Sequence, residues 1–76
     1  MSRNGKIANL PEHLREQINS RLHDGEPVVR LVDWLNGLPE VQAVMAQHFG
    51  GRPLKSQNLS EWKSGGYQDW LLKENA

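Results

Sequence analysis

The stretch VVRLVDWLNGLPE, residues 28–40, gives the clearest indication of the fold. Only Arg30, Asp33 and Asn36 are polar in its first two and a half turns, and they recur every third residue. This spacing predicts a helix that exposes one narrow polar stripe to solvent and packs against protein on its other sides. The Gly-Leu-Pro that follows predicts the end of this helix and the start of another, because glycine is common just past a helix and proline in its first turn.

Glycine followed by proline punctuates the rest of the chain in the same way. The punctuating residues are Pro11, Gly25, Pro27, Gly37, Pro39, Gly50, Gly51 and Pro53. Between them apolar residues recur at intervals of three and four, and no stretch alternates with period two. We therefore predict an all-α fold, a compact bundle of four to five short helices with a helix-turn-helix-like core. The predicted core consists of Leu14, Ile18, Leu22, Leu31, Val32, Leu35, Val41, Val44, Met45, Phe49, Leu59 and Trp62.

The domain organisation follows from the same pattern. Residues 7–76 are expected to form a single helical domain, and residues 1–6 a flexible basic arm. Two helix starts carry capping signals: Asn9 and Glu12 have the spacing of a capping box, and Ser56 is placed to cap the helix that follows Pro53.

The composition excludes several classes of protein. Nine basic and nine acidic residues give a formal net charge of zero, so the chain lacks a strong overall field for nucleic acid or an anionic membrane. The absence of cysteine excludes a disulfide framework and a thiolate metal site. No apolar run resembles a membrane span or a signal peptide, so we expect a cytoplasmic protein without membrane contact.

The histidines do not predict an enzyme. His13, His23 and His48 are few and far apart, whereas a hydrolytic site needs a nucleophile, a base and an orienting group together. No spacing typical of a metal site occurs, and the Gly-Gly pairs lack the Lys-Ser/Thr of a phosphate loop. We therefore expect no catalysis, no metal and no cofactor, and structural roles for the three imidazoles.

Residues 44–62 carry the most informative functional signal. They run as an apolar helix, a glycine-containing turn and a short polar helix, which is the order of a DNA-reading helix-turn-helix. With Leu59 and Trp62 inward, the opposite face carries amide, hydroxyl and carboxylate groups that can bond base edges. The residues predicted to face bases are Gln57, Asn58, Ser60 and Glu61. The residues predicted to contact phosphates are Arg52, Lys55, Lys63, Arg3 and Lys6.

The polar face also has a simpler explanation. Short polar helices are often just solvated, and the turn over residues 50–54 is longer than that of a compact helix-turn-helix. The distribution of charge favours DNA, because residues 1–10 and 52–64 each carry +2 while residues 11–51 carry −3 and residues 65–76 carry −1. For the arm alone, improved solubility is the favoured role.

The tryptophans support two interpretations. Trp34, Trp62 and Trp70 could form a stacking platform for bases, but each lies at an inward helical position, which favours core packing. Trp70 could instead anchor a partner. The alternative function is thus a small protein-interaction module, a phage-encoded inhibitor or adaptor. Its surface would be the Trp70-Leu71-Leu72 end and the stripe formed by Arg30 and Asp33.

The first half of the chain is similar to a known family. The matching positions are Ile7-Ala8-Asn9-Leu10-Pro11, Arg15, Ile18-Asn19, Leu22, Gly25 and Trp34-Leu35-Asn36. Over residues 7–36 they resemble the opening helical pair of phage Mu-type small terminase subunits. The resemblance implies a phage- or prophage-type head that contacts DNA through an N-terminal helix-turn-helix. After Asn36 the chain departs from this pattern with a longer stretch, residues 38–54, before its polar helix.

These patterns together predict a non-catalytic protein that binds double-stranded DNA, with its reading helix near residues 56–64. One small, neutral module makes few phosphate contacts. A single core of this size also rarely supplies more than about 3–5 kcal/mol of stability. Both considerations lead us to expect a homo-oligomer, either a dimer or an array.

Overall fold

Five short α-helices and one 3₁₀ turn provide the regular structure of residues 5–74, the part of the chain that the computed structural model describes. The 3₁₀ turn spans Ile7–Asn9, α1 Glu12–His23, α2 Val28–Asn36, α3 Pro39–His48, α4 Ser56–Ser64 and α5 Gly66–Glu74. No strand occurs within these residues. The predicted all-α bundle of four to five short helices is confirmed.

Glycine and proline separate the helices as their spacing predicts. Gly25 follows α1 with a φ of 84°, and Gly50 and Gly51 follow α3 with φ values of 63° and 80°. This left-handed conformation is costly for any residue with a Cβ atom. At the other helix ends, Pro27 directly precedes α2 and Pro39 is the first residue of α3.

Both predicted capping signals are wrong. Pro11 directly precedes α1, and the Asn9 side chain donates to the carbonyl of Gly5 at 3.0 Å instead of capping the helix. In α4, Ser56 is already helical, and the Asn58 Oδ1 accepts the Lys55 N–H at 2.8 Å. A side chain at the third helical position thus reaches back to the residue before the helix, as in half of a capping box.

The core agrees with the apolar periodicity over most of its residues. The predicted core residues that are buried are Leu14, Ile18, Leu22, Leu31, Leu35, Val41, Met45 and Leu59. Those that only pack against its edge, half-buried, are Val32, Val44, Phe49 and Trp62. The buried apolar residues that the periodicity missed are Ile7, Leu10, Leu54 and Tyr67. Ile7, Leu10 and Leu54 lie in or beside segments too short to show a repeat, whereas Tyr67 lies in α5, which is as long as α2.

The central helix is α2, as its sequence predicts. It packs against α1, α3 and α4, and Leu31 and Leu35 are fully buried. Its exposed face is wider than the predicted stripe, because Val29 lies at the surface beside Arg30 and Asp33 with 64% of its area exposed.

The polar helix α4 packs mainly against α2, α5 and the 3₁₀ turn. Its sequence neighbour α3 packs on α2. The two helices that the sequence pairs as a helix-turn-helix therefore meet mainly through α2 rather than face to face, and residues 49–55 carry the chain from one to the other.

Candidate nucleic-acid interface

A side-chain clamp places the start of α4 beside the end of α2. The Asn36 Nδ2 donates to the Leu54 carbonyl at 3.0 Å, and the Asn36 Oδ1 accepts the Leu54 N–H at 2.9 Å. Leu54 is itself buried, so these bonds satisfy backbone groups that water does not reach freely. The clamp joins residues 18 positions apart. It brings the end of α2 next to the start of α4, although α3 lies between them in the chain.

The outer face of α4 is polar and open. Gln57, Ser60 and Glu61 are exposed, while Leu59 on the opposite side is fully buried. Within residues 5–74, the Gln57 amide and the Glu61 carboxylate have no hydrogen-bond or ion-pair partner. Three of the four residues predicted to face bases therefore lie together on one accessible surface, which we call the α4 face.

Asn58 differs from the other three. It is half-buried, and its Oδ1 is bound to the Lys55 N–H. A bidentate contact with adenine uses both the oxygen and the nitrogen of an amide. The Asn58 oxygen already accepts the Lys55 N–H, so the predicted base contact would compete with this hydrogen bond. In this structure Asn58 positions the start of α4.

Cations lie at both ends of the α4 face. Arg52 and Lys55 precede the helix and Lys63 lies in its last turn; all three are exposed and have no ion-pair partner in the described part of the chain. Lys63 lies eight residues after Lys55, the residue that precedes the helix, which corresponds to about 12 Å along the axis. The major groove of B-DNA is about 12 Å wide.

The other two predicted phosphate contacts belong to the start of the chain. The Lys6 Nζ donates to the Pro53 carbonyl at 3.1 Å and lies 5.9 Å from the centre of the Phe49 ring. This contact brings the beginning of the domain next to the turn that leads into α4. Arg3 lies outside the described residues.

The inner side of α4 is fixed by Trp62. Its Nε1 donates to the Asn19 Oδ1 on α1 at 2.8 Å, and Asn19 is only 4% exposed. The Trp62 ring packs against the Cα of Gly66, so closely that a Cβ atom at that position would overlap the ring. Gly66 is the first residue of α5, and the space occupied by the Trp62 ring requires a glycine there.

The other tryptophans also pack against the core. The Arg21 guanidinium lies 4.0 Å from the centre of the Trp34 ring. Trp70 stacks on Tyr67 with ring centres 5.9 Å apart, and its Nε1 donates to the Glu16 Oε2 at 2.9 Å. All three tryptophans are half-buried and pack on the core, which agrees with the packing interpretation over a base-stacking platform.

A concave surface lies between α1 and α5. The groove has a volume of about 300 Å³, and its walls include Glu12, Arg15, Glu16, Trp62, Trp70 and Lys73. The Arg15 Nε is buried there without a hydrogen-bond partner. Beyond the groove, Leu72 has 72% of its area exposed.

The histidines make contacts between elements or with rings. His13 Nε2 lies 3.1 Å from the Glu40 carboxylate and links α1 to α3. His23 meets the edge of Trp70, and His48 the edge of Phe49. Among the residues that the structure describes, no three histidine, aspartate or glutamate side chains gather closely enough to hold a metal ion.

No helix formed by residues 5–74 is long and apolar enough to cross a membrane. No protein-family model, curated protein or solved structure matches the chain.

Proposed function

We propose that this protein binds double-stranded DNA without catalysing a reaction, and that the α4 face lies in the major groove. One observation carries the proposal: a short helix is fixed on its inner side by Leu59 and Trp62 and shows unpartnered amide, hydroxyl and carboxylate groups outside. Those groups are the ones that bond base edges. Cations at both ends of the same helix suit the phosphates on either side of the groove.

In this proposal the helix-turn-helix consists of α2 and α4, with α3 inserted between them. The clamp from Asn36 to Leu54 holds the two helices together as a short turn does in a compact motif. The resemblance to phage Mu-type small terminase subunits supports this arrangement, since it covers α1 and α2 and stops where the inserted stretch begins. We accordingly propose a phage- or prophage-type DNA-binding domain.

The residues have separate roles. Gln57, Ser60 and Glu61 face the bases, and Asn58 holds the helix start. The phosphate contacts come from Arg52, Lys55, Lys63, Lys6 and Arg3. Because the net charge is zero and one module neutralises few phosphates, we propose that two or more copies bind together.

Fluorescence anisotropy with a labelled random-sequence duplex at low salt tests this proposal. We expect the natural protein to bind, and the double variant Lys55→Glu/Lys63→Glu to bind at least about tenfold more weakly, since it reverses charge beside the phosphates. The matched control is Arg30→Glu/Lys73→Glu, which changes the net charge equally at exposed positions on α2 and α5.

The control separates local contacts from overall charge. The proposal requires the control to bind much more tightly than the α4 variant, with both folded by circular dichroism. Equal loss in the two variants would show that only net charge matters. No binding by the folded natural protein would refute the proposal.

A second candidate function is recognition of a protein partner by the C-terminal surface. The exposure of Leu72 next to the half-buried Trp70 and Leu71 favours it, since contiguous apolar surface is typical of interaction sites. Trp70 is a poorer anchor than the sequence predicts, because its ring is stacked and its Nε1 is bonded. Elution that shifts with concentration in the natural protein but not in Leu72→Asp, together with no binding of the natural protein to duplex DNA, would support this function.

A further inference from the structure

The unpartnered amide and carboxylate of the α4 face belong to Gln57 and Glu61, which lie four residues apart, at positions i and i+4. Gln57 and Glu61 therefore lie above one another on the same side of the helix, separated by about 6 Å along its axis. Both are exposed. Neighbouring base pairs are about 3.4 Å apart, so the two side chains reach bases that lie within two steps of each other.

The chemistry of the two groups is complementary. An amide both donates and accepts, which matches the N6 and N7 of adenine. A carboxylate only accepts, and in the major groove cytosine is the base whose edge offers a donor, N4, with no acceptor beside it. Guanine presents two acceptors to a carboxylate and repels it.

The Glu61 carboxylate disfavours bases that offer it no donor, because no nearby cation neutralises its charge. The residues three and four positions away on the helix are Gln57, Asn58, Ser64 and Gly65, and none is basic. Glu61 also makes no ion pair within the described residues. A carboxylate brought into the groove without a donor loses its water and gains nothing in exchange.

We infer that the α4 face selects duplexes in which an adenine and a cytosine lie within two base-pair steps, and that Glu61 is the residue that determines this specificity. The inference rests on the DNA binding proposed above. It assigns adenine to Gln57 and cytosine to Glu61, and it makes Glu61 unfavourable for binding to DNA that lacks the cytosine.

Selection from a duplex library with a randomised centre tests the inference. We expect the duplexes retained by the natural protein to share the adenine and the cytosine. In anisotropy measurements on a retained duplex, replacing the cytosine pair is expected to weaken binding by about 5- to 150-fold, the range for loss of one good base contact.

The variant Glu61→Gln is the decisive comparison. It is expected to bind the retained duplex and its cytosine-replaced form within about twofold of each other, and to bind random duplex more tightly than the natural protein does. The control Ser64→Ala, on the same helix, is expected to keep the natural preference.

The outcomes distinguish the inference from its premise. Binding to duplex without enrichment of the two bases, or an unchanged cytosine preference in Glu61→Gln, would overturn the inference and leave the proposed function standing. Absence of binding to every duplex in the library would overturn both.

Discussion

Replacing Asn36 with alanine tests how the fold holds its polar helix. The substitution removes both hydrogen bonds to Leu54, each of which contributes about 0.5–1.5 kcal/mol net. Leu54 is 2% exposed, so its N–H and carbonyl regain little hydration. We expect Asn36→Ala to lower the free energy of unfolding by about 1–3 kcal/mol. In a domain of this size, each 1 kcal/mol lowers the melting temperature by about 4–8 °C.

Urea denaturation followed by circular dichroism measures this change. The matched control is Gln42→Ala, because the Gln42 Nε2 also bonds Asn36, donating to its carbonyl at 2.9 Å at an exposed site. Water replaces that bond, so the control is expected to cost no more than about 0.5 kcal/mol. A loss for Asn36→Ala no larger than that of the control would refute the clamp.

Three further substitutions test the contacts around α4. Gly66→Ala forces the Trp62 ring to move; we expect a loss of about 1–3 kcal/mol and altered tryptophan fluorescence, and a variant of natural stability would contradict the close packing. Asn19→Ala removes the partner of the Trp62 indole and should cost about 1–3 kcal/mol in urea denaturation. Asn58→Ala removes the helix cap and should cost about 1 kcal/mol, whereas Asn58→Asp, which keeps the accepting oxygen, should not.

The helices could be predicted because their signals are local. In α1, Leu14, Ile18 and Leu22 recur every fourth residue, and all three are buried. The same reasoning identified α2 as central. It failed for Ile7, whose 3₁₀ turn has only three residues, and for Tyr67 in α5, although both are buried.

The arrangement of the helices could not be predicted in the same way. The clamp joins Asn36 to a residue 18 positions later, and no local pattern reports such a bond. The polar stripe of α2 includes Asn36, but the stripe does not indicate that the Asn36 side chain bonds the backbone of Leu54. Consequently, the sequence paired α4 with α3, whereas α4 packs on α2, α5 and the 3₁₀ turn.

The sequence could place those residues of the candidate site whose proposed role requires only an exposed side chain. Taking Leu59 as inward correctly places Gln57, Ser60 and Glu61 at the surface. Asn58, on the flank, was harder, because its capping bond depends on the backbone geometry of Lys55. For Gly66, the sequence offered only a large aromatic residue, Trp62, four positions earlier. The contact between the two residues is seen only in the folded structure.

The salt dependence of duplex binding measures the phosphate contacts that the proposed DNA binding requires. Each phosphate neutralised contributes about −0.9 to the slope of the logarithm of the binding constant against that of the salt concentration. If five side chains of one copy contact phosphates, the slope is about −4 to −5 per copy between about 50 and 200 mM salt. We expect Lys55→Ala/Lys63→Ala to reduce its magnitude by about two per copy. An unchanged slope in that variant, or no binding at the lowest salt, would contradict the account.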